Sequence, residues 1–325
     1  MGRLGRRAGF AFGGVLTGGG AIIATQALLS QSFVLLCAAH FLMGAGWASF
    51  QYFRFAAGEV VDAKWRPVAI SLMLSSLLAA AIVGPQLFII AQDALAPTPF
   101  AGAYIAVALI SVLGLVPLAA VQMPRPKRTR TGEKNSRFAA LRRRPVARAV
   151  GIAAVSQGVM VFLMIPTPIA MVGCGFSADT ASDVVRWHIV AMFAPSFFTG
   201  FLIQRFGAQT IAMIGLLIIA ASAVIAALGI SAVHFYGSLI ILGVGWNFGF
   251  IGATTMLDAA LSEEEKASVQ GVNDTVIALV STVCAFAAGF VVSSLGWGVL
   301  ATISATIVLV ALMAYLFNRR PQEAA

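Results

Sequence analysis

The residues of this chain that could do chemistry are polar side chains set inside long apolar runs. His40, Gly44, Trp47, Gln51 and Arg54 recur every three or four residues and so share one face of a helix. Gln157, Met160, Met164 and Thr167 share another face, as do Asn247, Thr254 and Asp258, with Trp246 beside them. The chemistry such groups offer is recognition. An indole, an amide or a guanidinium at membrane depth is costly to place and binds either a solute or another helix. Trp47, Gln51, Arg54, Gln157, Met160, Met164, Trp246 and Asn247 are therefore the candidate binding residues, and His188, of the one side-chain type that ordinarily titrates near neutral pH, is the candidate for proton coupling. Each also has a structural reading: packing for the methionines, an interhelical bond for Asn247, a structural donor in His188, and an Arg54 stem reaching the aqueous edge. Catalysis finds no support. There is no HExxH, no phosphate-binding glycine loop, and no nucleophile spaced to a base and an acid. Cys37, Cys174 and Cys284 are an odd number without CxxC spacing, so neither disulfide nor zinc is expected, and no metal or cofactor is implied.

The elements that must hold these groups are membrane helices. Of 325 residues, 60% are hydrophobic and 10% charged, with a mean hydropathy of +0.94. A spanning helix needs roughly 20 apolar residues. Such runs occur at about Ala8–Leu29, Phe33–Phe55, Val68–Ala91, Phe100–Val121, Val146–Val172, Val184–Ile203, Gln209–Leu228, Phe235–Leu257, Val269–Ser293 and Gly298–Leu316. They are too long and too continuous for barrel strands. Pro166 and Pro168 predict a break near the outer end of the fifth span. The net charge of +9 would suggest nucleic acid in a soluble protein. Here all 21 Lys and Arg except Arg186 fall on one side when the N-terminus is threaded inside, as the positive-inside rule requires. Both termini are thus expected in the cytoplasm and no nucleic-acid partner is expected. The same split favours keeping the first span over reading it as a cleaved signal.

A basic, proline-flanked segment at 124–145 separates residues 1–123, with four spans, from residues 146–325, with six. Leu42-Met-Gly-Ala-Gly-Trp47 in the second span recurs as Ile241-Leu-Gly-Val-Gly-Trp246 in the eighth, pairing Gly44 with Gly243 and Gly46 with Gly245. The same offset pairs Glu59 with Asp258, and Arg3-Leu-Gly5 echoes Arg205-Phe-Gly207 upstream. This is a six-helix repeat of matched topology.

The chain resembles the major facilitator superfamily, whose members have twelve helices in two six-helix halves around a central cavity. Gly2-Arg-Leu-Gly-Arg-Arg7 resembles the end of its cytoplasmic motif between the second and third helices. His40-Phe-Leu-Met-Gly-Ala-Gly46 resembles its fourth-helix R-x-x-x-G-x-G motif, with His40 where an Arg is usual. Ala80-Ala-Ile-Val-Gly84-Pro85 resembles its antiporter motif. Met192–Gly200, Gly245–Phe248 and Val269–Asp274 are similar to an uncharacterised bacterial branch. The resemblance implies an all-α polytopic bundle showing ten of twelve helices, in the bacterial inner membrane. It implies secondary transport of a small solute by alternating access with a proton or other coupling ion, efflux-like by the Gly84-Pro85 motif, in a protein monomeric at full length. It implies that Arg3, Arg6, Glu59, Arg205, Asp258 and Asp274 latch an inner gate, and that the second span lines the cavity. The first half then lacks its opening pair of helices, so the reading frame upstream of Met1 is expected to encode two more apolar spans. Two rivals remain: a ten-helix drug/metabolite-type transporter, which would repeat every five helices with inverted topology, and a non-transporting membrane remnant or sensor.

Overall fold

The computed structural model describes residues 5–120 and 140–317. Helices account for almost all of them, and ten helical spans among the described residues are long and apolar enough to cross a membrane. The expected all-α polytopic architecture is therefore the observed one. The helices are α1 (Arg6–Leu29), α2 (Phe33–Phe50), α3 (Phe53–Glu59), α4 (Arg66–Ala91), α5 (Ala101–Ala120), α6 (Arg144–Met164), α7 (Thr167–Gly173), α8 (Ala178–Phe193), α9 (Ser196–Phe206), α10 (Ala208–Leu228), α11 (Ala232–Ala259), α12 (Glu263–Leu295) and α13 (Trp297–Phe317). Three spans are broken in two. The α6/α7 break falls at Pro166, as the prolines predict. The α8/α9 break falls at Pro195, which lacks the N–H that a continuous helix would use. The α2/α3 break at Gln51–Tyr52 has no proline.

Several helices start earlier than hydropathy suggests, because polar caps extend them past the apolar run. The Ser177 hydroxyl accepts from the Thr180 N–H at 3.2 Å and starts α8 at Ala178, where the apolar run predicts Val184. Ser262 and Glu265 form a capping box that starts α12 at Glu263, six residues before the expected Val269.

The chain divides into two compact units, and the division falls inside α4. One unit comprises Met1–Asp62 with Ala79–Thr131, the other Ala63–Leu78 with Gly132–Ala325. In the first, α1 packs on α2 and α5, and Phe10 stacks on Phe53 at 4.0 Å. In the second, α11 is the central helix, packed on α10, α8 and α6.

The repeat is visible as packing. Gly5 precedes α1 and Gly207 precedes α10, with φ of 88° and 87°, a left-handed conformation that favours glycine. A Cβ on Gly46 of α2 would meet the Gly13 carbonyl of α1 at 2.7 Å and the Thr17 N–H nitrogen at 3.1 Å. A Cβ on Gly245 of α11 would meet the Gly215 carbonyl of α10 at 3.0 Å and the Ile219 nitrogen at 2.8 Å. The same close contact thus recurs between the same pair of helices in each unit. The neighbouring position differs. A Cβ on Gly243 would meet the His188 carbonyl of α8 at 2.7 Å, while one on Gly44 would meet open space.

Candidate functional site

Four side chains meet at mid-span depth in the second unit. The Trp246 indole N–H donates to Gln157 Oε1 at 2.8 Å. Trp246 stacks on Phe250 at 4.9 Å and takes the Phe193 ring edge-on at 5.7 Å. Trp246 itself is 5% exposed. Gln157 and Phe193 are half-buried and form the accessible rim. Gln157, Phe193 and Trp246 each fall near the middle of their spans, Arg144–Gly173, Ala178–Phe206 and Ala232–Ala259. Substrate sites of two-unit transporters lie at this depth. Of the methionines on the Gln157 face, Met160 is buried and Met164 half-buried against the core. Thr167 is buried and donates to the Leu163 carbonyl at 2.7 Å across the α6/α7 break.

Asn247, one residue along from Trp246, is fully buried in a polar node at the α8/α9 break. Its Nδ2 donates to the Met192 carbonyl and to Ser196 Oγ, each at 2.6 Å. Its Oδ1 lies 2.6 Å from the Thr199 hydroxyl. Both ends of the amide are thus engaged by protein, which is the interhelical reading rather than the solute-facing one. Ser71 of α4 completes the node: its hydroxyl donates to the Ser196 carbonyl and accepts from the Gly200 N–H at 3.1 Å, bridging one turn of α9. Gly200 makes this possible, since a Cβ there would meet Val68 Cα at 2.5 Å. Ser196 and Thr199 fall in the Met192–Gly200 stretch that carries the resemblance, though nothing there marked them as a polar node, and Ser71 gave no signal in the sequence.

Hydropathy, which starts the sixth span at Val184, puts His188 near its outer end; the structure does not. With α8 starting at Ala178, it lies ten residues in and is completely buried. Its Nδ1 is 2.7 Å from the Leu239 carbonyl. A carbonyl only accepts, so Nδ1 carries the proton and Nε2 is left as a lone pair, without a hydrogen-bond partner among the described residues.

In the first unit, Trp47 is 60% exposed, unlike its repeat partner Trp246. Gln51 accepts from Arg54 Nη1 at 3.1 Å, and Arg54 is 3% exposed with its guanidinium 4.6 Å over the Phe55 ring. Arg54 is therefore packed inside α3's surroundings and does not reach out to the aqueous edge. His40 Nδ1 faces the Leu36 carbonyl at 2.9 Å, leaving Nε2 to accept from the Tyr104 hydroxyl at 3.0 Å. Gly84 and Pro85 lie within α4, and a Cβ on Gly84 would meet open space.

The charge sets at the cytoplasmic helix ends are partly regrouped. Arg6 pairs with Glu59 through two of its nitrogens, Nη2 donating to Oε1 and Nε to Oε2 at 3.0 Å. Asp258, expected with Arg205, instead meets Lys266 at 3.1 Å and Arg66 at 3.6 Å. Glu263 joins the same two cations at 2.9 and 3.2 Å. The early start of α12 explains this, because the added turn carries Lys266 against the end of α11. Arg205 is exposed, its guanidinium 5.4 Å from the Phe206 ring. Asp274, placed by hydropathy at the start of a helix, is well inside α12, accepting from Asn273 Nδ2 at 3.0 Å. Arg3 lies outside the described residues.

Two similar helical units, ten spans and a polar site at mid-depth define a polytopic transport protein of the two-unit kind. Comparison with known proteins agrees. The profile described as Major Facilitator Superfamily matches residues 157–325. The whole chain is 36% identical to the riboflavin transporter RfnT of Brucella anthropi, covering 82% of that protein. It is 29% identical, over 99% of its length and 78% of the relative's, to the uncharacterised MFS-type transporter YddS of Bacillus subtilis. Among solved structures, the MFS transporter FucP in its outward conformation superposes with a TM-score of 0.80, over 99% of this chain and 85% of that one. At 17% identity that likeness concerns the fold. The chain belongs to the major facilitator superfamily and is a multi-pass membrane transport protein.

Proposed function

We propose that this protein moves a small, flat heteroaromatic solute, riboflavin or a close analogue, across the bacterial inner membrane. Transport proceeds by alternating access and is coupled to protons, with both termini in the cytoplasm. The observation that carries the reading is the Trp246–Phe193–Phe250 group with the Gln157 amide at its rim, at mid-span depth. A partly exposed amide and ring edge at that depth suit a water-filled route better than lipid. The half-buried Phe193 ring, held by the buried Trp246 and Phe250, offers a flat ring a stacking or edge contact worth about 1 kcal/mol beyond the buried area. The identity to RfnT across the whole chain supports the choice of riboflavin as the first solute to test. His188 is the coupling candidate in this reading, since its fixed tautomer leaves the Nε2 lone pair without a hydrogen-bond partner among the described residues, inside a span.

The experiment is riboflavin accumulation, followed by its fluorescence, in a bacterium that neither makes nor takes up the vitamin. Cells expressing the protein are expected to differ from vector controls, and a protonophore to abolish the difference. His188→Ala is expected to keep solute exchange and lose accumulation. Vector-level fluxes of riboflavin and of its close analogues, with the protein verified in the membrane, would refute the proposal.

A further inference from the structure

We infer that Gln157 is a specificity-determining residue whose amide is locked with its NH2 group outward, so that the site takes flat rings bearing a hydrogen-bond acceptor at their edge. The inference deepens the proposed function and rests on its placement of solute beside Trp246.

A glutamine side chain ordinarily presents either a donor or an acceptor, because its amide can rotate by half a turn. Here one partner removes that freedom. An indole N–H can donate but cannot accept, so the Gln157 atom 2.8 Å from Trp246 Nε1 must be the carbonyl oxygen. Turning the amide over would set N–H against N–H. Trp246 is in turn fixed by stacking on Phe250, at 4.9 Å with 14° between the planes, and by the edge-on ring of Phe193. The indole therefore cannot swing away to release the amide. What remains on the half-buried side of Gln157 is Nε2, with two N–H donors and no protein partner among the described residues.

The site thus combines an aromatic surface with donors and offers no acceptor from this amide. A ring edge carrying a carbonyl oxygen or an unprotonated ring nitrogen satisfies it. A ring whose edge carries an amino group meets donor with donor and leaves buried groups unpaired, which is the stronger basis of discrimination. The dioxo edge of an isoalloxazine ring, with carbonyl oxygens on either side of its imide N–H, has the required acceptors. Gln157 acts on the solute directly, and Trp246 is the positioning residue that sets its polarity.

The test is equilibrium binding of riboflavin to the purified full-length protein in detergent, with each variant checked for monodispersity. Gln157→Glu keeps an oxygen for the indole and turns the outward group into an acceptor. It is expected to weaken riboflavin about tenfold at pH 7.5. The loss should shrink at low pH, where a protonated carboxyl regains a donor; a merely structural role has no such pH signature. Trp246→Phe keeps the aromatic surface but frees the amide to rotate. It is expected to weaken riboflavin by a few-fold and to relax discrimination against amino-edged analogues. If the parent protein binds riboflavin and folded Gln157→Glu binds it equally well at pH 7.5, the donor lock is wrong while the transport proposal stands. If the parent protein binds neither riboflavin nor any carbonyl-edged flavin analogue, both fall together. A Trp246→Phe protein that is folded but keeps full discrimination would also overturn the lock.

Discussion

Asn247 ties α11 to the α8/α9 break through contacts of 2.6 Å to Met192, Ser196 and Thr199. Replacing it by alanine takes a buried partner from the Met192 carbonyl and from the Ser196 hydroxyl, and leaves the Thr199 hydroxyl only the Pro195 carbonyl. The cost of such unpaired groups is about 1–3 kcal/mol. Asn247→Ala is therefore expected to lower the unfolding temperature in detergent by several degrees, while riboflavin affinity per folded molecule stays within about twofold. Unchanged stability with a large loss of affinity would return Asn247 to the solute-facing surface. The residue itself was legible from its depth and helical face, but its partners were not. The Ser71 hydroxyl reaches a carbonyl 125 residues away. A lone serine in an apolar helix usually bonds its own preceding turn, so nothing in its local sequence announces a longer reach. The regrouping of Asp258 from Arg205 to Lys266 and Arg66 has the same origin. A cap moved the start of α12 by six residues, and hydropathy does not register caps.

The helices themselves were the most legible part, because a bilayer leaves little freedom in length and composition. The repeated Gly-x-Gly-Trp stretch also marked a real contact, and the structure assigns different tasks to its two glycines. Gly46 and Gly245 stand against backbone atoms of α1 and α10, at 2.7 to 3.1 Å for an added Cβ. Backbone cannot rotate aside as a side chain can, so the helices must separate. Gly46→Ala and Gly245→Ala are each expected to destabilise by about 1–3 kcal/mol, the usual cost of overpacking. Gly44→Ala meets nothing within 4 Å and removes a flexible residue from a helix. It is expected to be neutral or slightly stabilising. Thermal unfolding of the three variants, followed by size-exclusion chromatography of membrane extracts, checks the order. A Gly245→Ala protein as stable as the parent would show that the close approach of α10 and α11 is not required. The break at Pro195 was open to the same reading as the one at Pro166. Pro195 lies inside a single apolar run, however, whereas Pro166 has a second proline two residues on.

At the scale of the whole molecule, the charges decide how the ten spans are threaded. Arg6 with Glu59, Arg66 and Lys266 with Asp258 and Glu263, and Arg143 with Glu265 all lie at helix ends on the side expected to be cytoplasmic. Moving one elementary charge across the membrane potential is worth about 2.3 kcal/mol per 100 mV. These pairs balance, four cations against four anions, so the bias comes from the further Lys and Arg expected on that side, whose transfer outward opposes inversion; that is the physical content of the positive-inside rule. The native thiols provide the readout. Cys174 is exposed and caps the end of α7, at the far end of the fifth span from Arg144. With the N-terminus inside, an odd number of crossings puts Cys174 outside the cell. In a Cys37→Ser, Cys284→Ala background, Cys174 is expected to react with a membrane-impermeant maleimide applied to intact cells. Glu264 is exposed in the first turn of α12, after an even number of crossings. Glu264→Cys, with Cys174→Ser added, is expected to react only after permeabilisation. The reverse pattern would invert the threading and would set Arg66 and Lys266 on the outer face. Labelling of both sites from outside would mean that a span between them does not cross. The six-helix repeat would then lose the matched topology that makes α2 and α11 counterparts.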